Sequence, residues 1–389
     1  MKLENKVIWI LSPNRWGKMK VSKHHYALTL AARNNIVYFI EPPSLESSGM
    51  DIRPSEESKN LFIVSYKPVF RGKNFLPKFA YRWLLHRQVN LFRKKIPNAP
   101  DIIWCFYPFL FENLKWYRAK TSILHVMDFG IKTDLPPEAS SSNVIFGVST
   151  SILDWLKPAK RPLFFVNHGL GKAFAQKAAN LLHTNNEKNK LPGRALKVGY
   201  IGNLLMEAPD RSTMMDIIRQ HPDIEFIFWG QYENSVNNNL GSWFHQDVPE
   251  FINFLKTAPN VILKGPQEPE KIQDEIDSID IFWICWKVGI SSLWDGSNSH
   301  KILEYLATGK PVIAHHIKTY KDTGLIYMLP VETNENYSAL FNEVAEKVAN
   351  GEDPGLRTKR IEFALENTYE KQVDRIEKMI NKVVSENEI

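Results

Sequence analysis

Cysteine is nearly absent: the 389 residues hold two, Cys105 and Cys285, both inside apolar runs (IIWCFY and IFWICW). So few thiols exclude a disulfide framework and a cysteine-based metal cluster, and the pair reads as small buried hydrophobes of a reducing compartment. Long hydrophobic runs are missing too. The N-terminal run VIWIL is too short for a signal h-region, and no stretch approaches the ~20 apolar residues of a spanning helix. No GxGxxG follows a strand-like run and no GxxxxGK[ST] occurs, which argues against a dinucleotide oxidoreductase or a P-loop enzyme. HExxH, paired CxxC, GxSxG and Asp-x-Asp are absent as well, so the chain offers no metal site of those kinds. The expectation is a cytoplasmic protein, open to peripheral contact with the inner face of a membrane.

What is present is alternation. Strand-like runs at Val7–Leu11, Ile36–Ile40, Leu61–Ser65, Ile102–Cys105, Ser122–Met127, Val144–Val148 and Leu163–Asn167 are separated by amphipathic segments such as Val21–Arg33 and Lys78–Lys94. That order predicts a parallel sheet wrapped by helices. A polar stretch, HTNNEKNKLPGRA (183–195), reads as an interdomain linker. The pattern then restarts, with strands expected at Lys197–Ile201, Glu225–Trp229, Val261–Lys264, Ile279–Trp286 and Pro311–His315. The fold class expected is α/β, with two Rossmann-like, doubly wound domains facing each other across a cleft. Their limits are 1–188 and 189–368, and a C-terminal helix over 369–389 packs back on the first domain.

In such sheets ligands bind beyond the carboxyl ends of the strands. One segment there, SNSHKILEYLATGKPVIA (297–314), opens with three good N-cap residues, Ser297, Asn298 and Ser299. Helical spacing puts Ser297, His300, Lys301, Glu304 and Thr308 on one face and Ile302, Leu303 and Leu306 toward a core. Gly309 suits the helix stop. The arrangement offers an anion site, with free N–H groups and the Lys301 charge for a diphosphate and Glu304 for the hydroxyls of a ribose. A capped surface helix with a solvated polar face explains the same spacing.

The segment resembles the donor-binding signature of GT-B glycosyltransferases, the family 4-like group in particular. Lys301, Glu304, Tyr305, Ala307, Gly309, Lys310, Pro311 and Val312 match its K-x-x-E-Y-x-A-x-G-K-P-V pattern. VGYIGNL (198–204), FGVSTSILDWL (146–156), VNHGLGKAF (166–174) and SKHHYALTLAARNNIVYFIEPP (22–43) are similar to further family passages, in the family's order. The resemblance implies sugar transfer from a nucleotide-diphosphate sugar, used as co-substrate with neither cofactor nor metal. It implies that Glu304 contacts the ribose, that Ser297 to Lys301 surround the diphosphate, and that Gly202 and Asn203 line the donor pocket. Two positions depart from the pattern. Gly296 stands where the family has a second acid, with Asp295 one place off, and Asn203 stands where it commonly has Arg, leaving Arg211 and Lys287 as cationic stand-ins.

On the acceptor side, Asn14, Arg15 and Trp16 follow the first strand, and His24 and His25 begin the next helix. His24 is a candidate catalytic group, though paired histidines at a helix start are often only surface polar residues. Asp128 ends a strand in HVMDFG, where the family tends to place a polar group near the reacting carbon. It is a candidate base toward the acceptor hydroxyl, its pKa raised if the position is enclosed, or else the cap of the next turn. His125, mid-strand, reads as a satisfied core histidine. From residue 59 to residue 100 there are ten Lys/Arg and no Asp or Glu, against a whole-chain net charge of +6. Lys78, Arg82, His86, Asn90 and Lys94 fall in one i, i+4 row beside Phe79, Trp83, Leu84, Leu91 and Phe92. That pattern suits an anionic membrane surface and a lipid-linked acceptor, or simply a solvated helix face. No base-reading motif points to nucleic acid. The expected function is a glycosyltransferase of surface polysaccharide or glycolipid assembly, acting on a glycan or lipid-linked acceptor. The alternatives are a non-catalytic GT-B-like nucleotide- or glycan-binding protein and a GT-B sugar-nucleotide epimerase.

Overall fold

A computed structural model describes residues 1–17, 19–70, 76–128, 134–183, 194–233, 246–288 and 298–387. They form two α/β units, Met1–Gly169 with Tyr369–Ile389, and Leu170–Thr368. The first unit runs β1 (Val7–Leu11), α1 (Ser22–Ala32), β2 (Ile36–Ile40), β3 (Met50–Pro54), β4 (Leu61–Tyr66), α2 (Lys78–Lys95), β5 (Ile102–Cys105), β6 (Thr121–Val126), α3 (Pro137–Ser141), β7 (Val144–Gly147), α4 (Thr150–Leu156) and β8 (Leu163–Phe165). Its sheet order is β3-β4-β2-β1-β5-β6-β7-β8. The central strands are buried on both faces, which is why VIWIL and IIWC read as unbroken apolar runs rather than alternating ones. Strand β3, MDIRP, pairs antiparallel with β4 at the edge and is mostly exposed. It lacks an apolar run and ends in a proline that only an edge tolerates, so the sequence did not announce it.

The second unit runs α5 (Lys172–His183), β9 (Lys197–Ile201), α6 (Arg211–Gln220), β10 (Glu225–Trp229), α7 (Val248–Thr257), β11 (Val261–Gly265), α8 (Pro269–Glu275), β12 (Ile281–Ile284), α9 (His300–Leu306), β13 (Val312–Ala314), β14 (Tyr327–Met328), α10 (Tyr337–Asn350) and α11 (Pro354–Leu365). The sheet order β11-β10-β9-β12-β13-β14 is parallel throughout and reverses direction between β9 and β12. This is the doubly wound order of a Rossmann sheet.

The division between units differs from the expected 188/189. The chain changes unit at 169/170, ahead of α5. Phe174 and Ala178 of α5 enter the same core cluster as Ile276, Ile361 and Ala364, and Lys177 pairs with Asp277 at 2.8 Å. Residues 184–193 of the expected linker lie outside the described residues. A polar run marks a loop, but which core receives the preceding helix depends on packing.

The helical tail also divides. α11 stays with the second unit, whereas α12 (Tyr369–Asn387) belongs to the first. Val373, Ile376 and Ile380 of α12 join the first unit's core beside α1. Arg33 pairs with Asp374 at 2.7 Å and donates to the Glu370 carbonyl at 2.9 Å. At the chain start, the Leu3 N–H donates to Glu377 at 2.6 Å. Ile376 is fully buried, so Ile376→Ala is expected to lower stability by about 2–5 kcal/mol. A urea titration followed by a probe in the first unit measures this, and an unchanged midpoint would place α12 outside that core.

Candidate functional site

In the second unit the strand order reverses between β9 and β12, the place at which open α/β sheets take ligands beyond their carboxyl ends. The backbone there is built for close approach. The Gly202 N–H donates to the Trp229 carbonyl at 2.7 Å, and the Gly230 N–H donates to the Gly265 carbonyl at 2.9 Å. Gly230 has φ +134°, and a Cβ on it would lie 1.9 Å from the Gly202 oxygen. No side chain fits there. A Cβ on Gly202 would lie 2.8 Å from both Lys301 Nζ and the Tyr200 hydroxyl. The bare backbone thus lets the Lys301 ammonium rest against the exit of β9.

Helix α9 is held over this exit by Tyr305. The Ile201 N–H donates to the Tyr305 hydroxyl at 2.8 Å, and the Tyr305 ring stacks on Phe282 with centroids 4.4 Å apart. Ile302, Leu303 and Leu306 are buried, on the face the helical spacing assigns to the core. Lys301 and Glu304 share the other face, both half-buried. Neither has a hydrogen bond or an ion pair among the described residues; what acts between them is a field across a gap. Burial pushes the Glu304 carboxyl up to about 7 against the pull of Lys301. Burial lowers the Lys301 ammonium while Glu304 opposes the shift. The Trp286 ring lies 5.8 Å from Lys301 Nζ. Thr308, expected on the polar face, is instead buried, and its hydroxyl donates to the Tyr305 carbonyl at 2.6 Å. Ser299 is the N-cap without a side-chain bond to the helix, Asn298 is buried, and His300 is half-buried. Ser297, Asp295 and Gly296 lie outside the described residues.

The loop after β9 is fixed by charges. Arg211, expected as a donor-side cation, is buried and committed elsewhere. Its guanidinium donates to both Asp247 oxygens at 3.0 Å, to the Leu204 carbonyl at 3.1 Å, and to the Met206 carbonyl. Lys287 pairs with the same Asp247 at 3.2 Å. Burial pushes Asp247 up, but Lys287 and Arg211 outweigh it and hold the carboxyl below its ordinary range. Both cations therefore brace the loop rather than stand open for a phosphate. Asn203 differs: its Oδ1 accepts from the Leu205 N–H at 2.9 Å, while its Nδ2 is buried with no partner.

In the first unit the loop after β1 is largely self-satisfied. The Asn14 N–H donates to Ser12 at 3.0 Å, and Arg15, exposed, donates to the Ser44 hydroxyl at 2.9 Å. Trp16 is half-buried, with its N–H on Glu41 at 2.8 Å, its indole N–H on Glu57 at 3.2 Å and the Lys20 ammonium 4.2 Å above its ring. His24 departs from the expected catalytic role. Its Nδ1 accepts from the Val21 N–H at 3.0 Å, its Nε2 bonds the Arg15 carbonyl at 3.0 Å, and its ring stacks on Phe39. Burial lowers it to about 4, against the Arg15 bond and helped by Lys20, Lys23 and His25. It is a neutral residue capping α1, with no ring nitrogen left for an acceptor. His25 stacks on Tyr369 at 4.8 Å. Asp128, two residues past the end of β6, is exposed, not in the enclosed position under which burial would tune it. His125 is fully buried among Tyr26, Trp104, Phe106 and Phe146, in the core as expected, but neither ring nitrogen has a hydrogen-bond partner among the described residues, so it is not a satisfied one. Lys23 was passed over in the sequence, although its place beside His24-His25 after the first loop was a signal. It is enclosed, and the opposing charge nearest to it is Asp128.

Helix α2 turns an unusual face outward. Lys78, Arg82, His86, Arg87, Lys94 and Lys95 are exposed, together with Phe79 at 77% and Trp83 at 57%. Leu84 is half-buried and Phe92 buried, so only part of the expected aromatic face reaches solvent.

No family model matches the sequence, and no curated protein matches it. Solved structures do, along the whole chain. Sucrose-phosphate synthase from Thermosynechococcus elongatus is similar at 13% identity and TM-score 0.64, over 98% of this chain and 99% of that one. The structure described as trehalose-6-phosphate from E. coli bound with UDP-2-fluoro glucose is similar at 11% identity and TM-score 0.66, over 97% and 98%. Anabaena Alr3699/HepE in complex with UDP is similar at 11% identity and TM-score 0.62, over 97% and 100%. At such identities the likeness lies in the course of the backbone, and that course is the GT-B fold.

Proposed function

We propose that this chain transfers a sugar from a nucleotide-diphosphate sugar to a glycan or lipid-linked acceptor, in the assembly of a surface polysaccharide or glycolipid. One observation carries the reading: Lys301 rests against the glycine exit of β9 and Glu304 shares its helix face, both half-buried and without hydrogen-bond partners among the described residues. Titratable groups left half-buried and unsatisfied are the signature of a ligand site. Lys301 neutralises the diphosphate and Glu304 accepts hydrogen bonds from the ribose hydroxyls. His300, Ser299 and Asn298 flank the diphosphate, and the Nδ2 of Asn203, without a partner among the described residues, supplies a further donor. The UDP and UDP-2-fluoro glucose in two of the similar structures support a donor of this class.

In the transfer, an acceptor oxygen bonds to the anomeric carbon as the bond from that carbon to the diphosphate breaks. The nucleoside diphosphate departs with the electron pair, and Lys301 stabilises its charge. Asp128 takes the acceptor's hydroxyl proton. Lys301 meets the leaving group's charge, in keeping with a sequence that lacks Asp-x-Asp. The outward basic and aromatic face of α2 supports a contact of the first unit with an anionic membrane surface on the cytoplasmic side. A non-catalytic nucleotide-binding protein is the second reading, favoured by the commitment of both Arg211 and Lys287 to Asp247. Release of nucleoside diphosphate on adding acceptor separates the two.

Thermal shifts with UDP, GDP and ADP and their sugars identify the base. Glu304→Ala is expected to weaken the nucleotide so found about tenfold or more, a loss of ~1.4 kcal/mol; an unchanged Kd would refute the ribose assignment. Carbon-13 NMR of the free protein should show Glu304 titrating near neutrality, and Lys301→Met should move that titration upward, because burial then acts unopposed. A downward move would mean that the two groups do not share a field. In flotation, vesicles containing phosphatidylglycerol should recover the protein and pure phosphatidylcholine should not; equal recovery would sink the membrane contact.

A further inference from the structure

The carboxyl edge of the first sheet holds a cation that donor binding does not use. Lys23 lies in the first turn of α1, directly after the loop leaving β1, and is 8% exposed. No hydrogen bond or ion pair reaches it among the described residues. Asp128, exposed two residues past the end of β6, acts on it across a gap too wide for an ion pair. His24 next to it has spent both ring nitrogens. Within the field of Lys23, the His125 ring carries two unpartnered nitrogens, and the Tyr26 hydroxyl and Trp104 Nε1 beside that ring are also unpartnered.

An enclosed ammonium without a partner costs several kcal/mol. Burial accordingly lowers the Lys23 pKa, with Asp128 only partly offsetting it. The first turn of α1 contains no acidic residue and presents the positive end of an eleven-residue helix. Apart from Asp128, which is exposed and acts across a gap, no described side chain brings negative charge to Lys23, so its setting favours a ligand that does.

We propose that Lys23 is the anion-binding residue of the acceptor side, and that it takes a phosphate group carried by the acceptor while Asp128 faces the acceptor's hydroxyl. This rests on the glycosyl-transfer reading and narrows the acceptor to a phosphorylated one. A soluble sugar monophosphate and a lipid-linked phosphate present the same chemistry to the ammonium.

The test follows the Lys23 signal by NMR of the full chain with carbon-13-methylated lysines, assigned through Lys23→Arg. Three probes are titrated: inorganic phosphate, a hexose monophosphate and a short polyprenyl monophosphate in detergent. One of the two esters is expected to shift the Lys23 signal saturably and to bind at least tenfold tighter than inorganic phosphate. Response to the hexose ester alone identifies a soluble acceptor, and response to the polyprenyl ester alone a lipid-linked one. In unmethylated protein Lys23→Met should lose that affinity at least tenfold, Lys23→Arg should keep it within about threefold, and both should bind nucleotide as the wild type does. A Lys23 signal unmoved by all three probes, or wild-type ester affinity in Lys23→Met, overturns the proposal while leaving the donor site intact. Loss of nucleotide binding in the wild type, with the ester shift present, would instead overturn the donor reading alone.

Discussion

The second unit depends on a close approach between backbone and helix. β9 leaves its sheet through Gly202, whose oxygen lies where a Cβ of Gly230 would have to go. With neither side chain present, the Tyr305 hydroxyl can take the Ile201 N–H and draw α9 onto the strand end. Lys301 then rests against Gly202, and Glu304 follows one turn further on the same face. A side chain at either glycine would push the helix out and, with it, the charged pair. The order reversal between β9 and β12 makes this the place where the sheet opens to a ligand.

Charges divide into those already answered inside the protein and those waiting for something else. Arg211 and Lys287 converge on Asp247, and Arg211, through the Leu204 and Met206 carbonyls, fixes the loop after β9. Arg360 is likewise closed off, paired with Glu352 at 2.6 Å and donating to the Leu325 and Gly309 carbonyls. Lys301, Glu304 and Lys23 stand apart: each is at least half-enclosed, and each lacks a hydrogen-bond partner among the described residues. Enclosure without pairing is destabilising, and so a ligand's charge or hydroxyl is what these positions can use.

The first unit shows the same economy in a different form. Its start and its α1 are bound by α12 through Arg33, Leu3 and a buried apolar stripe, so the tail completes a core laid down at the beginning of the chain. The edge carrying Arg15, Lys23 and Asp128 is thereby set on a rigid support. The exposed basic and aromatic residues of α2 lie on another element, apart from that edge.

Much of the fold was legible because buried parallel strands need apolar runs: VIWIL, IVYFI, IIWC, KVGYI and EFIFW each became a strand where read. The K-x-x-E spacing likewise placed Lys301 and Glu304 on one helix face, since 3.6 residues per turn leaves no other outcome. Edge strand β3, the boundary before α5 and the division of the tail between units escaped, because they depend on which core receives an apolar face. So did the fate of each charge. His24, Arg211 and Lys23 are all polar residues beside sheet-edge loops, and nothing in their neighbours along the chain separates them. Only the tertiary structure decided that His24 caps a helix, that Arg211 meets Asp247 thirty-six residues away, and that Lys23 meets no hydrogen-bond or ion-pair partner among the described residues, because hydrogen bonds and burial are settled by contacts distant in sequence.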